Sequence, residues 1–332
     1  MRRQEGYGKR IGVAGCKHTT QEFVSALIRH GWTPDHVVTI SPEKGEKESV
    51  AGYHDLRPFL TESSIDHTWA HRYSLKSEED QTALLGLNLD ILFVIGWQRL
   101  IPDWWLESLP IGAFGMHGSS RHLPYGRGRS PMNWSLLQNK TAFFTHLFRY
   151  KPGVDDGDLV GFKAFDITPY DTALTLHYKN TVSMMQLVVE HLPSLLEGSV
   201  TYTPQDEHGA TYYPKRTHED GMIFWTDATM DIVNLVRAVT DPFPGAFTYL
   251  DGDANHPITI WSAIPFDSQL VFPNAVPGEI VEVFTEGHFI VKTGTSSVLV
   301  LHHEGCDLTS KDVGRVLGPG STIRKIYENI PL

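Results

Sequence analysis

The residues of this chain that could do chemistry gather in two short segments. FGMHGSSRHLPYGRGRSPMNWSLL (114–137) puts His117 at the end of an apolar run, followed by a loop of Gly, Ser, Pro and Arg. Further on, VDDGD (154–158) crowds three carboxylates into a tight acidic turn. An imidazole moves protons near neutral pH. A carboxylate that reaches it fixes its tautomer and favours its cation. Such a pair can take a proton from an attacking nucleophile and donate to a developing oxyanion. Either Asp155 or Asp156 could be the partner, since adjacent acids in a turn otherwise bond backbone or water. With 17 His in the chain, His117 alone would carry little weight.

Other candidates are weaker. Arg127 and Arg129 precede a helix opened by Ser130 and Pro131, where phosphate binding is favoured, although a loop Arg also pairs with an Asp. His302, His303 and Glu304 suggest a metal, but adjacent His on a strand point to opposite faces and no third spaced ligand follows. The first strand–helix turn, GVAGCKHTT, has no G-x-G-x-x-G, which argues against a nicotinamide dinucleotide site.

The elements that must position His117 read as an α/β fold. RIGVAGC (10–16) is a buried strand. HTTQEFVSALIRHG is a helix with capping-box spacing at Thr19 and Glu22, and HVVTIS (36–41) is a second strand. This βαβ start, with DILFVIG (90–96) and IGAFGMH (111–117), predicts a doubly wound, mostly parallel, Rossmann-like sheet covered on both faces. Ligands bind at the carboxyl ends of such strands, where His117 falls. Strands over 141–150 and 158–167 and a helix over 172–197, capped by Asp171, follow. The polar stretch 206–220 reads as a linker. A helix capped by Thr226 or Asp227 and then short strands between Gly, Asn and Pro turns suggest a small β-barrel. The expected organisation is a catalytic domain over 1–205, a second domain over 221–318 and a tail over 319–332.

Composition narrows the class. The 332 residues are 41% hydrophobic, enough for two cores, and the net charge of −11 lowers the expectation of a nucleic-acid partner. Cys16 and Cys306 read as reduced core thiols. The N-terminal MRRQEGYGKR lacks a signal peptide's apolar stretch and no window spans a membrane, so a cytoplasmic protein without a membrane partner is expected.

The run M-H-G-S…L-P…R-G-R-S-P-x-N-W, with Asp155 following Arg129 by 26 residues, resembles the folate-dependent formyltransferases. The likeness is greatest to sugar N-formyltransferases of the type that formylates UDP-4-amino-arabinose. It extends through VRAVTDPFPGAFTYL (236–250), ITIWSAI (258–264) and PGEIVEV (277–283), over roughly 10–320. The resemblance implies the formyltransferase fold with a smaller C-terminal domain of a helix plus an OB-like barrel. It implies 10-formyltetrahydrofolate as formyl donor, no metal, and His117 and Asp155 as catalytic residues. Trp97, Gln98, Arg99 and Leu100, with Val154 and Asp156, match positions beside the folate. Gly115, Ser119, Arg121, Arg127 and Arg129 are the positions expected to meet the acceptor, a nucleotide-linked amino sugar used in cell-surface polysaccharide biosynthesis. A homodimer is also expected. Two departures stand out. The family's catalytic Asn is replaced by Gly115, and the loop from His117 to Pro124 is two residues longer. A group among Ser119, Ser120, Arg121 and His122, or a water, is expected to supply the missing donor. Three alternatives stay open at this point: a methionyl-tRNA formyltransferase, a 10-formyltetrahydrofolate hydrolase, and a non-catalytic folate- or nucleotide-binding relic.

Overall fold

The computed structural model describes residues 8–319, 327, 330 and 331. Its strands up to the acidic turn and just beyond are β1 (Ile11–Ala14), β2 (His36–Thr39), β3 (His67–Trp69), β4 (Ile91–Val94), β5 (Gly112–Ser119), β6 (Arg127–Gly128), β7 (Ala142–Arg149) and β8 (Leu159–Asp166). All but β6 form one sheet in the order β3-β2-β1-β4-β5-β7-β8. The pairs from β3 to β5 are parallel, and β5 pairs antiparallel with β7. The expected α/β architecture with a mostly parallel sheet is therefore present.

Alternation along the strands explains the two covered faces. Val13 and Phe93 point into one apolar cluster with Phe23, Val24 and Leu27 of helix α1 (His18–Arg29). Ala14, Leu92 and Val94 point into the other, with Trp105. Each fully buried Phe or Leu contributes roughly 1.5–3 kcal/mol. Helix α1 is capped differently from its sequence signal. Lys17 is the N-cap, and the Thr20 hydroxyl serves both the Lys17 N–H at 3.2 Å and the Ile95 carbonyl at 2.6 Å. Thr20 ties the helix start to the end of β4, a tertiary constraint that local spacing does not carry. Short helices α2 (Pro42–Lys47), α3 (Arg57–Glu62), α4 (Glu78–Leu85) and α5 (Asp103–Glu107) complete this part, with no counterpart in the periodicity.

Helix α6 (Pro131–Leu137) starts as expected at Pro131. Ser130, however, has φ +58 and makes no side-chain cap. Helix α7 (Ala173–Glu197) follows Asp171, whose carboxylate accepts from the Thr168 N–H at 2.6 Å and the Thr175 hydroxyl at 2.8 Å. The stretch 206–220 carries the strand β9 (Tyr212–Tyr213) between two single turns of 3-10 helix. Helix α8 (Thr229–Val239) begins later than expected. Neither Thr226 nor Asp227 caps it; the Thr229 N–H donates instead to the Thr295 hydroxyl at 3.0 Å.

The remaining strands are β10 (Ala246–Leu250), β11 (Pro257–Pro265), β12 (Ile280–Val283), β13 (Phe289–Lys292), β14 (Ser297–Glu304) and β15 (Leu317–Gly318). They form a curled antiparallel sheet in the order β12-β13-β14-β11-β10-β15. Its ends meet through Ile280 N–H to Arg315 O at 2.9 Å and Leu317 N–H to Gly278 O at 2.7 Å, which gives the expected barrel-like form. Gly278 is required there: its φ is +93, and a Cβ would lie 2.1 Å from the Leu317 carbonyl oxygen.

The chain divides into two compact units. One comprises the described parts of Met1–Arg127, Phe144–Phe165 and Lys179–Thr211; the other, those of Gly128–Phe143, Asp166–Tyr178 and Tyr212–Leu332. Among the described residues, no helix is long and apolar enough to cross a membrane.

Candidate active site

The site lies in the first unit, where β5 outruns its parallel neighbour. The last β4–β5 register pair is Val94 with Gly115. Beyond it β5 continues only against β7, pairing Met116 with Leu147 and His117 with His146. His117 therefore stands past the carboxyl end of β4, at the position where parallel sheets bind ligands. Gly115 and His117 share one face of β5, and their cross-strand partners Phe148 and His146 share it too.

His117 is 8% exposed. Its Nδ1 lies 3.3 Å from Asp155 Oδ2, and its Nε2 donates to the Gly126 carbonyl at 2.7 Å. Both ring nitrogens thus face oxygen acceptors, and a neutral imidazole can donate to only one. Asp155 has φ +52, a conformation rare outside glycine and tolerated by Asp, and its turn is held from outside. The Gln205 amide donates to the Asp155 carbonyl at 2.8 Å and to the Gly157 carbonyl at 2.7 Å. Arg127 in turn donates to Gln205 Oε1 from Nη2 at 2.8 Å, and to Glu207 at 2.6 and 2.9 Å.

That network corrects one expectation. Arg127 is fully buried, with its guanidinium committed to Glu207 and Gln205, so it is not presented for a phosphate. Its place is structural: with Gly126 it anchors the carbonyl that His117 grips, and through Gln205 it braces the turn that carries Asp155. Arg121 is exposed, with its guanidinium 4.5 Å over the Tyr125 ring. Arg129 is exposed and belongs to the second unit, where its N–H donates to the Tyr213 carbonyl at 3.0 Å.

The loop after β4 holds the residues matched to the folate. Trp97 is buried with its ring 4.8 Å from that of Tyr73, edge to face, and its Nε1 has no partner among the described residues. The Gln98 N–H donates to the Tyr73 hydroxyl at 3.0 Å. Arg99 stacks 5.0 Å over the Tyr73 ring, and Leu100 is exposed. In the acidic turn Val154 is exposed, while Asp156 Oδ1 is buried with no hydrogen-bond partner among the described residues. Asp155, not Asp156, is the carboxylate that meets His117.

Three neighbours of the site had escaped the sequence reading. Gln205 lies far along the chain with no local signal. His146 is fully buried opposite His117, and burial, reinforced by the charges of His122 and His117, pushes its pKa down to about 3. It is therefore neutral at physiological pH. A histidine inside the apolar run TAFFTHLFRY was the available clue. The third is Tyr150. A Cβ added at Gly115 would lie 2.0 Å from Tyr150 Cε2 and 2.8 Å from both Cζ and Oη. The space left by the missing Asn side chain is thus filled by Tyr150 from the end of β7, not by the lengthened loop. Ser119, on the same face of β5 but roughly 13 Å along the strand from Gly115, is fully buried, and its hydroxyl has no partner among the described residues.

The first unit thus carries a His–carboxylate pair at the carboxyl edge of a mostly parallel sheet. Residues 9–192 match the family model described as "Formyl transferase", and 215–309 match "Formyl transferase, C-terminal domain". The chain belongs to the formyl transferase family. Solved structures agree in fold. A HypX variant from Aquifex aeolicus matches with TM-score 0.63 and 17% identity over 89% of this chain and 45% of its own. This chain thus spans under half of HypX. WlaRD, a sugar 3N-formyl transferase crystallised with dTDP and 5-N-formyl-THF, matches with TM-score 0.61 and 17% identity over 89% of this chain and 98% of its own. The N-formyltransferase of Helicobacter canadensis, in complex with folinic acid and dTDP-3-aminofucose, matches with TM-score 0.60 and 14% identity over 89% and 100%. At these identities the likeness is one of fold.

Proposed function

We propose that this enzyme transfers a formyl group from 10-formyltetrahydrofolate to the amine of a nucleotide-linked sugar, with His117 and Asp155 as its catalytic residues. The observation that carries the reading is the 3.3 Å His117–Asp155 pair at the carboxyl edge of the sheet. Two sugar N-formyltransferases that match over nearly their whole length support the choice of acceptor. The residues present suit a folate. Trp97 Nε1 is a buried donor and Asp156 Oδ1 a buried acceptor, each without a partner among the described residues, and a pterin ring offers both complements.

The donor, when bound, supplies an electrophilic formyl carbon. As the acceptor amine forms its new C–N bond, Asp155 and His117 take up the amine's proton and pass it to the departing folate nitrogen, whose bond to the formyl carbon breaks. Removing such an acid–base group typically costs about a hundred- to ten-thousand-fold in rate. Arg121, an exposed cation of the same unit as His117, is proposed for the nucleotide's phosphates. The test is mass spectrometry of nucleotide-linked amino sugars, dTDP-3-aminofucose among them, incubated with enzyme and 10-formyltetrahydrofolate. A formylated sugar nucleotide is the expected product. Formate alone, with every acceptor unchanged, would show a hydrolase.

A further inference from the structure

A family enzyme that lacks the side chain expected at position 115 still needs a donor for the oxygen that becomes negative as the amine attacks. We propose that the Tyr150 hydroxyl is that donor, a catalytic residue that replaces the absent Asn amide from a neighbouring strand. The proposal rests on the formyl-transfer reading of the site.

Three observations carry it. The first is position. Tyr150 follows β7 directly, its N–H donates to the Ala113 carbonyl at 2.8 Å, and its ring lies where a side chain at Gly115 would begin. Its Oη falls 2.8 Å from the Cβ that residue 115 does not have, within the volume an Asn amide there would use. Strand pleating places Gly115, His117, His146 and Phe148 on one face, and the Tyr150 ring stacks on Phe148 at 5.3 Å. The hydroxyl therefore reaches the side of the sheet that carries His117.

The second is chemistry left unused. Tyr150 is half-buried, and its hydroxyl bonds to no other described residue, which leaves the oxygen open to solvent or to a ligand. A ligand carbonyl would complete it. The third is electrostatic. Burial, with the nearby Asp155 charge adding to it, pushes the phenol well above its ordinary range, so the hydroxyl stays protonated and acts as a donor and never as an anion.

In the balanced step, the amine nitrogen bonds to the formyl carbon while the C=O π pair moves onto oxygen. Tyr150 donates a hydrogen bond to that oxygen and keeps its proton. The pair then returns, the bond from carbon to the folate nitrogen breaks, and the amine's proton leaves through His117 to that nitrogen. No oxidant or further reactant is involved.

The test compares wild type, Tyr150→Phe, Gly115→Ala and His117→Ala. Binding of 10-formyl-5,8-dideazafolate and of the same analogue without its formyl group is measured by calorimetry. Formyl loss from 10-formyltetrahydrofolate is followed in parallel. Tyr150→Phe keeps the ring and is expected to melt with the wild type and to bind the deformylated analogue equally. It should bind the formylated analogue about ten-fold more weakly and lose about a hundred- to thousand-fold in turnover. In Gly115→Ala the new methyl displaces the ring, and the same selective loss is expected. Tyr150→Phe with wild-type discrimination and turnover, while His117→Ala is inactive, would overturn the role of Tyr150 and leave the site intact. Gly115→Ala with unchanged discrimination would overturn the placement. Failure of the wild type to bind either analogue would overturn the donor reading itself, and this proposal with it.

Discussion

Acid should unfold this protein in part by forcing a proton onto His146. The side chain is fully buried opposite His117, and burial pushes its pKa from the ordinary 6.5 down to about 3. A base with a depressed folded pKa binds its proton more readily when unfolded. Its contribution is complete above the unfolded value and is lost as pH falls from 6.5 toward 3. At pH 5 the unfolded chain is almost fully protonated at this site and the folded chain is not, so about 2 kcal/mol is lost relative to pH 8. By pH 3 the loss reaches about 4 kcal/mol. His36, His54 and His303 are depressed by burial too and act with the same sign, so the comparison must be with a variant. Urea unfolding of wild type and His146→Gln, followed by tryptophan fluorescence at pH 8, 6 and 5, isolates the contribution. The variant's stability should fall by about 2 kcal/mol less than that of the wild type between pH 8 and 5. Equal pH slopes would show that His146 titrates normally and would refute the reasoning.

The other predictions concern the site. His117→Ala and Asp155→Ala should each lower turnover by about a hundred-fold or more with the fold kept, whereas Asp156→Ala should mainly weaken folate binding; steady-state kinetics with circular dichroism check all three. Gln205→Leu removes the donors that hold the Asp155 and Gly157 carbonyls. It should reduce stability by about 1–3 kcal/mol and lower kcat, as read from urea unfolding and kinetics. Arg121→Met should raise KM for a nucleotide-linked sugar more than it lowers kcat, since phosphates lie away from the reacting amine. Wild-type KM should also rise with salt, and a KM indifferent to Arg121 and to salt would remove it from the acceptor site.

The frame was legible because its strands are buried on both faces. ILFV at Ile91–Val94 is an apolar run that only a covered parallel strand needs, and His117 at the end of the next run marked the carboxyl edge. The short helices α2 to α5 were not legible, because five to eight residues leave little room for a 3.6-residue period. The start of α8 was misread because its cap comes from Thr295, distant in sequence. In the site, proximity of His117 to an acidic turn could be anticipated from residue types, but its supports could not. Arg127 looks like a phosphate ligand until Glu207 and Gln205 are folded against it. Tyr150 gains meaning only because strand pairing lays its ring on Gly115.

The most direct measurement follows a carbon-13-labelled formyl group by NMR, from 10-formyltetrahydrofolate, in the presence of dTDP-3-aminofucose and related nucleotide-linked amino sugars. With wild-type enzyme the label should appear as an N-formyl group on a sugar nucleotide, and with His117→Ala it should stay on the folate. Label released only as formate, or transferred equally fast by wild type and His117→Ala, would contradict the proposed function.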